Sequence, residues 1–476
     1  MTLARSIHAW LDELATGYDP VAGAASTLPP DSLVSSSSVT SFVIGTGTDI
    51  FSLLQPELET AEEEIIFVTC FWAKSSSLRK LCDSLKALST KALQRGSKKI
   101  KVRICFSSLS LLQKLFHTRS PLGRVYPPST WVKKLGLPKP EDLTGLDITV
   151  KSKFLLPFGV MHPKFIIIDK KIVLIPSCNV SWEPWFEGCV KLSGSIVLRF
   201  HHFWQSFWEG ESQSLNTGDE ESPRVVFDIR DQTPPSIGSV TSSFRIVSID
   251  SYEPIPTILL PSGHHINPHF RPWPWQSVPP PPHTPLNTFL LHMFSKARKE
   301  IYIQTPNITS PSVLNALLDC LKGGVNVKIL TNDRLMVLEQ LVTAGTTTSR
   351  CIKRLIRHYE KETQSMDEET GLPGQLGVFY WQPERSPHIT NDELCTAQRS
   401  HLKITIVDME VTILGSGNMD RASWFTSQEL GVALFSADFA RNIWVEGILP
   451  SMIKNCRYRY TSNGFVMDPL GNNQEN

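Results

Sequence analysis

The sequence predicts an α/β protein in which one fold is written twice. An octet, His162-Pro163-Lys164-Phe165-Ile166-Ile167-Ile168-Asp169, returns as His401-Leu402-Lys403-Ile404-Thr405-Ile406-Val407-Asp408, at an offset of 401 − 162 = 239 residues. Each is followed by a Ser and an Asn at matching positions, Ser177 with Asn179 and Ser416 with Asn418. A second pair of segments, 61–69 and 297–305, agrees at Ala, Glu, Ile and Thr with an offset of 297 − 61 = 236 residues. Two offsets so close to each other mark a tandem repeat, and a repeat governs the architecture.

The elements follow in order. Residues 1–44 read as a short amphipathic helix around Trp10-Leu11-Asp12-Glu13 and then a loose Ser-rich segment, Ser35 to Ser38. The first lobe spans 45–210. There, segment 61–69 leaves a helix and enters an apolar strand. Leu78, Leu81, Leu85 and Leu88 stand at helical spacing over 76–95, with Gly96 as a stop. Strand 101–106 completes a βαβ unit, which demands parallel strands. Residues 211–284 form a Pro-rich connector containing Trp273-Pro274-Trp275 and Pro279 to Pro282, read as extended chain packed over the junction. A lipid-contacting rim is the sharper reading of that aromatic stretch.

The second lobe spans 285–455. Thr284 is an N-cap and Pro285 a first helical residue for a helix ending near Arg298. Helix 311–321 and strand 325–330 repeat the βαβ unit. An insertion, 345–375, carries Lys353, Arg354, Arg357, His358 and Lys361, which read as a solvated helix face, with a phosphate or nucleic-acid backbone as the functional alternative. Residues 456–476 read as a tail.

Composition narrows the partners. The chain has 476 residues, 41% of them hydrophobic and 20% charged, with a net charge of +1, so no broad field draws it to nucleic acid or anionic membrane. Nine cysteines suit a reducing compartment, and Cys178 with Cys189 reads as buried thiol. Met1 to Pro20 lacks the apolar core of a secretion signal, and no run reaches the roughly 20 apolar residues that cross a bilayer. The expectation is an intracellular protein, soluble or peripherally attached to a membrane.

The chemistry lies in the octets. Residues two apart share one face of a strand, so each His and Lys point together from its end. Asp169 and Asp408 close the strand and fix the turn. The apolar runs that follow, 172–175 and 411–414, return Asn179 and Asn418 to the same edge. Two such sets face to face gather two imidazoles, two ammoniums and two carboxamides around one small volume, a set suited to a phosphodiester. One His attacks phosphorus, and the other, protonated, serves the leaving oxygen. Lys164, Lys403, Asn179 and Asn418 stabilise the developing charge. Glu187 and Glu429, each five residues beyond a Ser-Trp pair, are placed to hold one nitrogen of each imidazole. His264-His265 with His269 is the only metal candidate and reads as solvent-exposed, so no metal or other cofactor is expected.

These residues resemble the phospholipase D superfamily, whose mark is His-x-Lys-x4-Asp present twice. The second copy, Gly415 to Ser423 with Glu429-Leu430, is similar to cardiolipin synthase-like phosphatidyltransferases. The first departs from it, with Pro176 in place of Gly415 and Cys178 in place of Gly417. The resemblance implies two α/β/α lobes related by pseudo-two-fold symmetry, with mixed sheets flanked by helices and the site at the seam. It also implies a monomer with an internal pseudo-dimer, a covalent phosphohistidine (on His162 by that likeness), and metal-independent phospholipid hydrolysis or phosphatidyl transfer. A nuclease of the same superfamily and an inactive phosphate-binding module are the alternatives.

Overall fold

The computed structural model describes residues 3–16, 28–96, 98–110, 113–114, 116–118, 120, 122–155, 159–210, 245–248, 253–263, 280–365, 372–383 and 397–462. The three connector histidines, His264, His265 and His269, and the Trp273-Pro274-Trp275 stretch lie outside the described residues.

The N-terminal half begins with helix α1 (Leu3–Thr16), whose Trp10 is fully buried and donates its indole N–H to Thr288 in the other half at 3.0 Å. Then come β1 (Val34–Gly45), α2 (Gly47–Leu58), β2 (Glu64–Phe71), α3 (Ser76–Arg95), β3 (Ile100–Ser108) and β4 (Leu146–Ser152). β5 (Phe165–Ile168), β6 (Ile172–Pro176), β7 (Trp185–Ser193) and α4 (Ile196–Trp204) complete it. Leu78, Leu81, Leu85 and Leu88 of α3 face the core and the helix ends where Gly96 takes a left-handed φ of 61°, as its sequence pattern requires.

The C-terminal half contains β8 (Ile255–Gly263), α5 (Pro285–Lys296), β9 (Glu300–Gln304), α6 (Pro311–Lys322), β10 (Asn326–Thr331), α7 (Val337–Ala344), α8 (Thr348–Ser365) and β11 (Leu376–Trp381). β12 (Arg399–Ser400), β13 (Ile404–Val407), β14 (Val411–Gly415), α9 (Arg421–Phe425), β15 (Gln428–Phe435), α10 (Ala437–Asn442), α11 (Leu449–Asn455) and β16 (Cys456–Thr461) follow. The Thr284 side chain accepts the N–H of Asn287 with Pro285 in the first turn, so the cap lies where the sequence places it.

Strand pairing repeats between the halves. In the first, β4, β3 and β2 run parallel, then β5, β6, β7 and β1 continue antiparallel. In the second, β11, β10 and β9 are parallel, followed by antiparallel β13, β14, β15 and β8. The octet strand is thus central in each sheet. Its residues, 165–168 and 404–407, are nearly devoid of exposure, and each large apolar side chain so buried contributes about 1.5–3 kcal/mol.

Three expectations from sequence need correction. Ser35 to Ser38 are not loose: they belong to β1, whose first residues pair with β8 while the rest pair with β7. Small hydroxyl side chains suit that crossing, and Ser37 and Thr257 hydroxyls meet at 2.6 Å. The connector is not all linker, because its Ile255–Gly263 stretch is β8, inside the second sheet. The tail begins as a strand, β16, antiparallel to β11. Residues 345–375 include α8, whose Lys353, Arg354, Arg357, His358 and Lys361 are all exposed, as a solvated face requires.

Candidate active site

Each octet ends its strand with a tight turn. Asp169 and Lys170, like Asp408 and Met409, have φ between 51° and 56°, a left-handed pair that short polar residues tolerate best. The Asp169 carboxylate accepts the backbone N–H groups of Glu62, Glu63 and Glu64 at 2.8–2.9 Å. Asp408 does the same for Arg298, Lys299 and Glu300. These aspartates therefore clamp the incoming strand at the end opposite the histidines.

At the other end the halves exchange partners. The His162 N–H donates to the Gln428 carbonyl at 3.0 Å, and the His401 N–H to the Phe186 carbonyl at 2.8 Å. The next residue in each case supplies the carboxylate. His162 Nδ1 lies 2.8 Å from Glu429 Oε2, and His401 Nδ1 lies 2.8 Å from Glu187 Oε1. Each histidine is thus oriented by the other half's glutamate, and those glutamates are in turn held by Ser416 and Ser177. β7 and β12 pair in parallel across this joint, bringing the halves together at the imidazoles.

The two sides are not equivalent. Lys164 Nζ donates to its own His162 carbonyl at 3.0 Å. Lys403 Nζ donates to the His401 carbonyl at 2.7 Å and also reaches His401 Nε2 at 2.9 Å. The His401 ring packs on Trp185, centroids 4.7 Å apart. His162 keeps 16% of its side chain exposed against 5% for His401, and among the described residues nothing hydrogen-bonds its Nε2. Asn179 accepts the Phe71 N–H at 3.2 Å, whereas Asn418 donates to Asp420 at 3.1 Å. Asp420 went unnoticed in the sequence; it also caps α9 by accepting the Ser423 N–H.

A family model described as cardiolipin synthase, phospholipase D-like domain, matches residues 290–446. Residues 290–446 thus carry a phospholipase D-like domain. A phosphatidylserine synthase from Haemophilus influenzae Rd KW20 shares the fold, with a TM-score of 0.51, 12% identity and 89% of each chain covered. A polyphosphate kinase from Porphyromonas gingivalis aligns at a TM-score of 0.43 and 10% identity, over 84% of this chain and 44% of that one. Nuc, a phospholipase D family member from Salmonella typhimurium, aligns at 0.25 and 18% identity, over 37% of this chain and 91% of its own. No curated protein matches by sequence.

Burial dominates the titration of the site. It pushes His401 down to about 3 against the pull of Glu187, with Lys403 deepening the fall. Burial lowers His162 as well, against Glu429. Burial works to raise Glu187, yet the carboxyl ends below its ordinary value because His401 and Lys403 hold it ionised. Lys403 is pushed by burial down to about 7. Burial thus disfavours the charged form of both imidazoles, and the Lys403 ammonium stands beside His401 Nε2 at 2.9 Å. Among the described residues, no cluster of His, Cys, Asp and Glu is arranged to hold a metal ion.

Proposed function

We propose that the chain is a phospholipid phosphodiesterase or phosphatidyltransferase working through a covalent phosphohistidine. The supporting observation is the crossed pair of His–Glu contacts, which puts two oriented imidazoles and two lysines at one joint. His162 Nε2 attacks phosphorus, forming a P–N bond as the P–O bond to the leaving alcohol breaks. The departing oxygen takes the proton shared by Lys403 and His401. Water or a second alcohol then loses its proton to that pair and attacks phosphorus, and the electron pair returns to His162. Glu429 keeps the Nδ1 proton in place, so the lone pair stays on Nε2. Lys164 and Asn179 stabilise charge on the non-bridging oxygens.

Exposed apolar side chains around this joint favour a lipid. Leu338 on α7 is 77% exposed, with Val342 beside it, and Phe116 of the other half is 79% exposed. Arg421 donates to the Thr343 carbonyl, holding α7 against the Asn418–Asp420 turn, and Glu339 feels both Asp420 and Lys114 across the joint. Trp182, also exposed, packs on Phe71, the residue bonded to Asn179. An apolar rim of this kind is the mark of a surface-seeking site, and no helix among the described residues is long and apolar enough to cross a membrane.

The test offers the purified protein phosphatidylglycerol, phosphatidylcholine with a primary alcohol, and single-stranded DNA in parallel. Products are read by mass spectrometry. Headgroup release or exchange dependent on His162 and His401 supports the proposal. Cleavage of DNA alone would replace it with a nuclease, and no turnover of any substrate would leave a binding module.

A further inference from the structure

An open cleft of about 490 Å³ lies beside the outer edge of the C-terminal sheet, away from the paired histidines. Arg334, Lys353, Arg457 and Arg459 line it, against a single acid, Asp333. Arg457 approaches Asp333 only at 3.8 Å, and among the described residues no carboxylate pairs with Arg334, Lys353 or Arg459. Like charges gathered this way repel one another unless an anion joins them.

Two further features indicate that the cluster is a built site. Val378 pairs with Tyr460 and Phe379 with Tyr458, so Arg459 is the extra residue of a β-bulge in β16. A bulge re-aims side chains, and here Arg457, Tyr458 and Arg459 all reach the same cleft. Tyr380, on the neighbouring β11, is 3% exposed, and its hydroxyl faces Ser349 and Arg459, both polar groups of the same cleft. Charges on an edge strand also deter pairing with other chains. That role does not explain Lys353, which comes from α8.

We propose that this cleft binds a phosphate-bearing anion, with Arg457, Arg459 and Lys353 as its cationic contacts and the Tyr380 hydroxyl as a donor. Guanidinium groups match phosphate oxygens in pairs, and the lysine adds a point charge. The cleft is tied to the histidines through one residue: Asn332, next to Asp333, bonds both the N–H and the carbonyl of Ser400, which precedes His401. An occupant there is thus linked to the residue before His401 through Asp333 and Asn332, without touching the histidine.

The shared chemistry is a phosphate, carried by a lipid headgroup or free in solution, and the experiment separates the two. Equilibrium dialysis of the full chain with inorganic pyrophosphate is run beside sedimentation with phosphatidylcholine vesicles, with and without phosphatidic acid. The variants are Arg457→Glu with Arg459→Glu, Lys353→Glu on a different element, and Tyr380→Phe, with circular dichroism confirming the fold. Each lost cationic contact is expected to weaken binding about tenfold. Loss confined to pyrophosphate identifies a free anion; loss of binding to phosphatidic acid vesicles identifies a headgroup. Equal binding of both probes by wild type and variants, or no binding by wild type to either, overturns the proposal.

Discussion

His162 and His401 carry the same side chain into unequal surroundings. His401 is sealed between Trp185, Glu187 and Lys403, whereas His162 keeps an accessible Nε2. Desolvation lowers both imidazoles, so His162 loses its nucleophilic lone pair only when pH drops below the usual imidazole range. In the proposed mechanism Lys403, pushed to about 7, loses the proton offered to the leaving group as pH rises through that value. A bell-shaped kcat/KM follows, with its alkaline limb near pH 7; a flat profile across neutral pH would sink the assignment. Lys403→Met should remove that limb and slow turnover, whereas Lys164→Met should slow turnover and keep it. Replacing His401 by Ala should cost about 10²–10⁴-fold and let an acid-labile phosphoryl group accumulate on His162. Mass spectrometry that finds the group on His401 in a His162→Ala variant would reverse the roles. His, Lys and Glu were all legible as letters. Their inequality was not, because it arises from burial and from a ring, Trp185, that no spacing links to His401.

Among elements, those with local causes were the readable ones. The α3 helix announces itself by its leucines and ends at Gly96, and α5 begins at a Thr-Pro cap. β1 and β8 escaped because their pairing partners do much to make them strands, serines and prolines having weak strand preference of their own, whereas the alternating Arg and Tyr of β16 favour a strand in their own right. The octet aspartates belong to this scale too. Asp408 holds three backbone N–H groups at the far end of β13, so Asp408→Ala should cost about 1–3 kcal/mol of stability. Denaturant midpoints would record the loss, and the pH profile of the remaining activity should be unchanged. A shifted alkaline limb would instead place Asp408 in the chemistry. On α7, Leu338→Asp with Val342→Asp should lower turnover of phospholipid in vesicles and spare a short-chain, water-soluble diester. Equal loss on both substrates would mean the helix only supports the fold.

For the whole molecule, the decisive feature is that neither half completes its own histidine. Glu187 belongs to the N-terminal half and serves His401; Glu429 belongs to the C-terminal half and serves His162. The repeat could be read as a duplication from its two offsets, but the linear order offers no means of choosing between carboxylates used at home and carboxylates exchanged. Double-mutant cycles make that choice measurable. Residues acting as one unit are strongly non-additive, and distant ones add. Glu187→Gln combined with His401→Ala should therefore be scarcely worse than His401→Ala alone, and Glu429→Gln should be similarly redundant with His162→Ala. The single variants should differ in kind as well. Glu187→Gln leaves His401 without its anionic partner and should move the alkaline limb, since Lys403 shares that carboxylate. Glu429→Gln should move the limb less, because Glu429 is the weaker of the two carboxylates acting on Lys403, and should slow formation of the phosphohistidine. Redundancy of Glu187 with His162, and of Glu429 with His401, would show that each half keeps its own acid and would break the crossed arrangement on which the single shared site depends.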